Sequence, residues 1–206
     1  MSCRLKLILL GSLALGVSAC AAAGDDDERS DLELITVAGD LEHPWGMAFL
    51  PDGRVLVTER PGRLRIIERD GQKGPPIAGV PVVEAKGQGG LLDVALAPAF
   101  AKNGFVYLSY TEPREGGNGT SVARGVLEGG SLVGVQVIFR QQPAMQGGYH
   151  YGSRLVFARD GRLFVTLGER NSGRAHAQTL DNTRGKIVRI NPDGSIPPDN
   201  PFVGRE

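Results

Sequence analysis

The chain has 206 residues, of which 23 are basic and 23 acidic, so its formal net charge at pH 7 is zero. This balance leaves no basic footprint for a nucleic acid partner. Thirty glycines and thirteen prolines interrupt the chain too often for long helices, so the composition predicts an all-β fold.

Residues 1–20 are predicted to form a lipoprotein-type signal peptide. Arg4 and Lys6 precede an apolar run over residues 7–16, which is too short to span a bilayer as a mature helix. The tetrad that follows, VSAC, ends at Cys20 and resembles a bacterial lipobox, in which the cysteine is acylated and becomes the new N-terminus. Cleavage of an ordinary secretory signal after an alanine is the alternative.

Residues 21–33 are predicted to be a polar tether between the lipid and the folded part. The acidic run at 25–28 is interpreted as part of this solvated linker. Cys3 and Cys20 are the only cysteines, so the sequence after the signal offers no disulfide and no cysteine metal site. We expect an exported protein on the periplasmic side, attached to a bacterial membrane through Cys20.

A sequence unit then occurs three times. The copies lie at residues 49–60 (FLPDGRVLVTER), 96–110 (LAPAFAKNGFVYLSY) and 157–168 (FARDGRLFVTLG). Aligned on Gly53, Gly104 and Gly161, they are 51 and 57 residues apart. Repeats of this size, made of short strands and tight turns, are typical of propeller blades. We predict blade-like antiparallel units at the ranges 41–95, 96–153 and 154–206.

Short runs rich in β-forming residues, separated by Asp-Gly and Pro-Gly turns, predict nine strands. They lie at residues 54–58, 63–67, 92–96, 104–110, 121–127, 135–140, 154–158, 162–167 and 186–190. Long loops are predicted between them, and such loops carry functional residues on a rigid scaffold. These loops cover residues 72–90, 112–120, 141–153 and 169–184.

Two of these loops contain candidate site residues. Gln88 stands among three glycines, which either let a ligand approach the backbone or only form a flexible turn. His150 lies between two tyrosines just before a predicted strand, and histidine is the commonest general base. A surface histidine without a role is the alternative. His43 and His176 are weaker candidates, because one precedes a Pro-Trp pair and the other lies in a polar loop.

Four motifs occur in the order of a known family. They are residues 43–53 (HPWGMAFLPDG), 87–92 (GQGGLL), 150–155 (HYGSRL) and 185–201 (GKIVRINPDGSIPPDNP). Together they resemble the soluble PQQ-dependent sugar dehydrogenases of the glucose/sorbosone dehydrogenase family, in its aldose sugar dehydrogenase branch. The resemblance covers about residues 34–206, which we interpret as a partial propeller domain.

The resemblance implies a six-bladed β-propeller, with only about the first three blades in this chain. The chain is therefore expected to be an N-terminal fragment that is inactive alone. The resemblance also implies that pyrroloquinoline quinone (PQQ) and calcium are bound at the top of the central channel. An aldose would be oxidised at C1, with a histidine taking the hydroxyl proton while hydride passes to C5 of the quinone. His150 matches that base, and Gln88 matches a glutamine that reaches cofactor and sugar.

The match to the family has departures. Tyr149 stands where some members have an acidic residue, and Glu169 stands where many have aspartate. The calcium ligands and the cationic side chains that hold the cofactor lie later in the family pattern, so no metal ligand is assigned here. A lactone-hydrolysing propeller or a non-catalytic sugar-binding propeller is the alternative. Lactonases of this kind hold a metal with carboxylate and Asn side chains, whereas His150 and Gln88 favour a dehydrogenase. The preferred aldose and the electron acceptor stay open.

Lipidation of Cys20 is testable by labelling in a Gram-negative host. The unaltered chain should incorporate labelled palmitate, and Cys20→Ser should abolish incorporation because the acylated thiol is lost. Cys3→Ser is the matched control and should keep the label. Label that persists in Cys20→Ser would contradict the lipobox interpretation.

Overall fold

The computed structural model describes residues 32–204, so the predicted signal peptide, Cys20 and most of the predicted tether lie outside the described residues. Residues 32–35 have no regular secondary structure, and residues 36–204 form a separate unit that contains every element. The only α-helix of the described range has four residues, and no helix there is long and apolar enough to span a bilayer.

The described part of the chain contains eleven β-strands. They are β1 (Pro44–Phe49), β2 (Val55–Glu59), β3 (Arg63–Ile67), β4 (Lys73–Pro76), β5 (Leu91–Leu96), β6 (Phe105–Arg114), β7 (Gly117–Glu128), β8 (Ser131–Arg140), β9 (Gly152–Phe157), β10 (Leu163–Leu167) and β11 (Ile187–Ile190). The helix α1 (Phe100–Asn103) lies between β5 and β6, and a 3-10 turn (Arg174–His176) lies between β10 and β11.

The strands form three sheets that follow one another along the chain. The first sheet has the order β1-β2-β3-β4, the second β5-β6-β7-β8 and the third β9-β10-β11. All pairings within the sheets are antiparallel. The predicted all-β class is confirmed, and all nine predicted strands are present.

Both inner boundaries of the predicted units are wrong: they fall a few residues inside the first strand of a sheet, and the boundary after residue 153 cuts β9 (Gly152–Phe157). The boundary after residue 95 cuts β5, which pairs with β6 in the second sheet, with Leu91 opposite Tyr110 and Val94 opposite Leu108. The repeat alignment placed the start of the middle copy at Leu96, which is the last residue of β5. The second sheet therefore begins at residue 91.

The predicted loop at residues 112–120 is also wrong. Strands β6 and β7 continue through it as a hairpin, with Arg114 opposite Gly117. Glycine, proline and asparagine in this stretch suggest a loop, but the side chains of Asn118 and Thr120 are buried and hydrogen-bonded. Two strands were not predicted, β1 and β4, and β4 lies within the predicted loop at 72–90.

The second sheet is covered on both faces. Along β6, Val106, Leu108 and Tyr110 pack in a core shared with the first sheet, whereas Tyr107 packs in a core shared with the third. The ring of Tyr107 meets that of Phe157 edge-on, with centroids 4.9 Å apart. The period-2 alternation of a strand thus builds two cores from one sheet.

A hydroxyl side chain occupies the same position of each repeat, five residues after the turn glycine. In every sheet it accepts a hydrogen bond from a backbone N–H of the first strand, at a point where the strand register shifts. The pairs are Gly46 N–H to Thr58 at 2.9 Å, Asp93 N–H to Ser109 at 2.9 Å and Arg154 N–H to Thr166 at 3.0 Å. A bulge leaves an N–H without a ladder partner, and the hydroxyl supplies one.

Two of these hydroxyls also join neighbouring sheets. The Thr58 hydroxyl donates to the carbonyl oxygen of Leu92 in the second sheet at 2.5 Å. The Ser109 hydroxyl donates to the carbonyl oxygen of Ser153 in the third sheet at 2.6 Å. Both hydroxyl residues are fully buried, so these bonds are shielded from water.

Glu59 is a buried carboxylate at the end of β2, with only 1% of its side chain exposed. It accepts hydrogen bonds from the Glu42 amide at 2.6 Å, Arg63 Nε at 2.8 Å and Arg65 Nε at 2.6 Å. Burial opposes ionisation, but these bonds outweigh it and lower the pKa of Glu59 from 4.5 to about 2. The carboxylate therefore fastens the segment before β1 to the first sheet.

Acid should weaken the fold through Glu59. Because its folded-state pKa is lowered, its stabilisation is complete above pH 4.5 and is lost as the pH falls towards 2. The shift corresponds to roughly 3 kcal/mol. Glu59→Gln should lower the free energy of unfolding at pH 7 by up to about that amount and flatten its acid dependence, as measured by urea unfolding between pH 2 and 7.

The matched control for this experiment is Glu68→Gln, which removes a half-exposed partner of Arg54. It should change the free energy of unfolding by less than about 1 kcal/mol. An acid dependence that is the same in Glu59→Gln and in the unaltered chain would contradict the assignment.

Candidate active site

A cleft lies where the first strands of the three sheets meet the loops around Gln88 and His150. Its lining includes His43, Trp45, Arg60, Gln88, Leu92 and His150. The structure thus brings both predicted site residues to one place. Of the two weaker candidates, His43 also lines the cleft, whereas His176 lies in the 3-10 turn and does not.

The two predicted loops hold each other in place. The backbone N–H of Gln88 donates to the carbonyl oxygen of Gly148 at 2.8 Å. The backbone N–H of His150 donates to Oε1 of Gln88 at 2.9 Å. A Cβ added to Gly87 would lie 2.4 Å from the Gly148 oxygen, and the φ of Gly87 is +60°, so this close approach requires glycine. The Gln88 loop is therefore fixed, which argues against a merely flexible turn.

Gln88 uses its amide oxygen to hold the backbone of the candidate base. Its Nε2 group is the part that would donate to a ligand in the cleft. The contact of Gln88 with cofactor and sugar, implied by the family resemblance, stays a prediction.

The backbone of His150 has a left-handed conformation, with φ +50°. This conformation costs a residue with a side chain roughly 1–2 kcal/mol. Besides the bond from its N–H to Gln88, its carbonyl oxygen accepts from the backbone N–H of Arg170 at 3.3 Å. Strained backbone of this kind persists only where the surroundings fix it, and it is concentrated at functional sites.

Glu169 is the hydrogen-bond partner of the His150 ring. Its Oε1 lies 2.6 Å from Nδ1 of His150, which is 40% exposed at the cleft. The hydrogen bond with His150 lowers the pKa of Glu169, so the carboxylate is ionised at neutral pH and can only accept. Of the two neutral tautomers of the imidazole, this contact favours the one with the proton on Nδ1, in which Nε2 is left to accept a proton.

In the sequence, Glu169 stands out only as a departure from the family pattern. The signal that could have found its partner is the register of the β9-β10 hairpin, in which Gly152 pairs with Leu167. Continuing that register by two residues places position 150 opposite position 169. Tyr149, the other departure, is exposed beside the imidazole, with ring centroids 6.5 Å apart.

Two arginines border the cleft. The Arg60 guanidinium donates to the carbonyl oxygen of Gly87 at 2.7 Å, and among residues 32–204 it forms no ion pair. The Arg154 guanidinium lies 4.8 Å above the Trp45 ring and 2.8 Å from the buried Asp93 carboxylate. Arg154 therefore links the first strands of all three sheets beside the cleft.

The cleft side chains suit an anionic ligand rich in oxygen. Arg60, Gln88 and His150 offer a guanidinium, an amide and an imidazole, which can bind carboxylate and carbonyl oxygens. Among the described residues, no three His, Cys, Asp or Glu side chains lie together as a metal-binding group.

Comparison with known proteins relates the chain to sugar dehydrogenases. The profile of the family described as Glucose / Sorbosone dehydrogenase matches residues 41–206. Aldose sugar dehydrogenase YliI of Escherichia coli is 47% identical over 167 residues, which cover 79% of this chain and 45% of that protein. The chain spans about half the length of the curated relatives it matches.

Solved structures give the same result. The apo form of the soluble aldose sugar dehydrogenase of Escherichia coli superposes with a TM-score of 0.77 at 46% identity, over 81% of this chain and 49% of that one. The PQQ-bound aldose sugar dehydrogenase of Streptomyces coelicolor superposes with a TM-score of 0.74 at 33% identity, over 83% of this chain and 51% of that one.

Gly168→Ala should damage this site. A Cβ at Gly168 would lie 1.8 Å from the carbonyl oxygen of His150, so the end of β10 and the His150 loop would be forced apart. We expect a loss of roughly 1–3 kcal/mol in the free energy of unfolding, measured by urea denaturation. Gly39→Ala is the control, because nothing lies within 4 Å of its added Cβ. Equal stability of the two variants would contradict the predicted clash.

Proposed function

The chain belongs to the glucose/sorbosone dehydrogenase family, and we propose that it supplies the catalytic base of a PQQ-dependent aldose dehydrogenase. The reaction is the oxidation of an aldose at C1 to the lactone. The observation that carries the proposal is the His150–Glu169 pair at the cleft, with the carboxylate on Nδ1 and the second ring nitrogen left as acceptor.

His150 acts on the C1 hydroxyl. Nε2 takes the hydroxyl proton as the hydride leaves C1, and the C1–O bond becomes the carbonyl of the lactone. Glu169 stabilises the imidazolium that forms, because its carboxylate lies 2.6 Å from Nδ1. PQQ, when bound, supplies the two-electron acceptor for the hydride.

The other cleft residues position the ligands. The Nε2 group of Gln88 would donate to cofactor or sugar, while its amide oxygen holds the backbone N–H of His150. Arg60 has donors beyond its bond to Gly87 and would be free to pair with an anionic group of the cofactor, in addition to the cationic side chains that the family pattern places later. Calcium belongs to the proposal through the family alone, and no ligand for it is assigned within residues 32–204.

We further propose that the three sheets are the first three blades of a six-bladed propeller. Support comes from the repeated hydroxyl, since Thr58 and Ser109 each donate to the next sheet. Thr166 holds the same position in the third sheet and accepts from its first strand in the same way. In a ring, its hydroxyl would donate to a fourth blade. On this proposal, the cofactor site is shared with later blades, and this chain alone is inactive.

The proposed location is the periplasmic side of a bacterial membrane, with the lipid on Cys20 as the anchor. The sequence VSAC that ends at Cys20 is its support. The proposed partners are an aldose substrate and an electron acceptor that the site residues leave open.

The proposed mechanism is tested in the complete protein, reconstituted with PQQ and calcium, by aldose-dependent reduction of a dye. His150→Ala should lower kcat on the order of 10²–10⁴-fold, because proton transfer is lost. Gln88→Ala should cost less, since one neutral hydrogen bond contributes about 0.5–1.5 kcal/mol. Quinone binding, followed by absorbance, should be largely retained in His150→Ala.

His176→Ala is the matched control and should keep full activity, because His176 does not line the cleft. Full dehydrogenase activity of His150→Ala would overturn the base assignment. A complete protein that bound no quinone but hydrolysed a sugar lactone would replace the proposal with the lactonase alternative. Sugar binding without turnover would leave a binding module.

A further inference from the structure

Arg170 is a buried arginine directly behind the candidate base. Its residue surface is only 3% exposed, and its backbone is left-handed with φ +65°. It follows Glu169 in the chain, so two adjacent residues reach His150 from two sides. No local sequence pattern marks Arg170 as a site residue.

The Arg170 guanidinium donates four hydrogen bonds, two to the loop before His150 and two to Asn118 in the β6-β7 hairpin. Nε donates to Tyr149 O at 2.9 Å, Nη1 to Asn118 O at 3.1 Å, and Nη2 to Asn118 Oδ1 at 2.6 Å and Gly147 O at 3.2 Å. Its carbon also lies 4.0 Å from the centre of the Tyr151 ring. The acceptors on the loop are therefore the carbonyls of residues 147 and 149, which precede His150.

No carboxylate of the described residues forms an ion pair with Arg170. Burial lowers the pKa of its guanidinium, so keeping this cation inside the protein is unfavourable unless its donors are satisfied. Carbonyl oxygens and an amide oxygen satisfy them here. A planar fork of donors can bind several carbonyls of an irregular loop at once, which a lysine ammonium cannot do in the same geometry.

We propose that Arg170 is the positioning residue for His150. It fixes the carbonyls before the histidine from inside the protein, while Glu169 fixes the ring and Gln88 fixes the backbone N–H. The left-handed turn at residue 150 then points the imidazole at the cleft. The proposal rests on the proposed function, because it gives His150 the role of base.

Asn118 completes the arrangement from the second sheet. Its Oδ1 accepts from Arg170 and lies 3.1 Å from the Tyr151 hydroxyl, and its Nδ2 donates to Gly147 O at 3.0 Å. Its backbone also pairs with Met145 in an isolated bridge. The rigid β6-β7 hairpin is thereby connected through Arg170 to a loop that has no sheet of its own.

The first measurement does not depend on activity. The chain has three histidines, so selective ¹⁵N labelling gives three backbone amide signals. Arg170→Met and Arg170→Lys should shift the His150 signal and speed its hydrogen exchange, leaving the His176 signal in place. Arg114→Met is the control, since it removes a partly buried guanidinium that donates to Gln141 O and not to the His150 loop.

The second measurement is kinetic and uses the complete, reconstituted protein. Arg170→Met should lower kcat on the order of 10²-fold through misplacement of the base, with little change in KM. Arg170→Lys should fail to restore kcat, because charge without the planar fork does not hold the loop. Arg114→Met should keep kcat near that of the unaltered protein.

An unchanged His150 signal together with unchanged kcat in Arg170→Met would overturn the proposal. So would equal shifts of all three histidine signals with a rise in KM, which would indicate a general structural role. If Arg170→Met does not fold, Arg170→Lys supplies the same comparison. A complete protein without aldose activity would refute the proposed function, while the amide signals would still decide whether Arg170 positions His150.

Discussion

The whole arrangement depends on one repeated hydrogen bond, between a bulged N–H of the first strand and a hydroxyl of the second. The bulges lie at Trp45, at Leu92 and at the start of β9, which all line the cleft, and each bulge interrupts the ladder of hydrogen bonds between two strands. A buried N–H without a partner costs about 1–3 kcal/mol, so the bulge needs a local acceptor. The hydroxyl of Thr58 or Ser109 is that acceptor, and its own proton bonds the next sheet. One side chain thus both satisfies the bulged N–H and forms a hydrogen bond to the next sheet.

The sheets joined by these hydroxyl bonds bring irregular loops together, although the loops have no hydrophobic core of their own. The loops around Gln88 and His150 meet through two backbone-directed bonds and a glycine that admits close contact. The charged side chains near the cleft differ in how deeply they are buried. Arg170 is buried and bonded to carbonyls, Asp93 is buried and paired with Arg154, and Arg60 is at the cleft. The fixed, buried groups build the site, and the accessible ones remain for ligands.

Local sequence patterns predicted much of this fold. Alternating residues and Asp-Gly turns located nine strands, and glycine-rich context located Gln88 and His150. The hairpin at residues 112–120 was missed because its glycines and polar residues resemble a loop, although Asn118 and Thr120 are buried and bonded to Gly147 and Tyr151. Glu169 and Arg170 were missed for a different reason. Their partners are set by the register of β9 with β10 and by Asn118 on another sheet, and neither can be read from a single stretch of sequence.

The glutamate at position 169 shows why the backbone around it must be so constrained. Its side chain is one methylene longer than the aspartate that the family resemblance gives for this position, and a longer side chain loses more rotamer freedom when it is fixed. Two successive left-handed residues, Arg170 and Asn171, turn the chain immediately after it. The hydrogen bond from His150 is the main cause of the lowered pKa of Glu169, and a hydrogen bond from the backbone amide of Asn171 lowers this pKa further. The turn at Arg170 and Asn171 therefore holds the longer side chain of Glu169 in place. The same turn places Arg170 beneath His150, the residue that the Glu169 carboxylate orients.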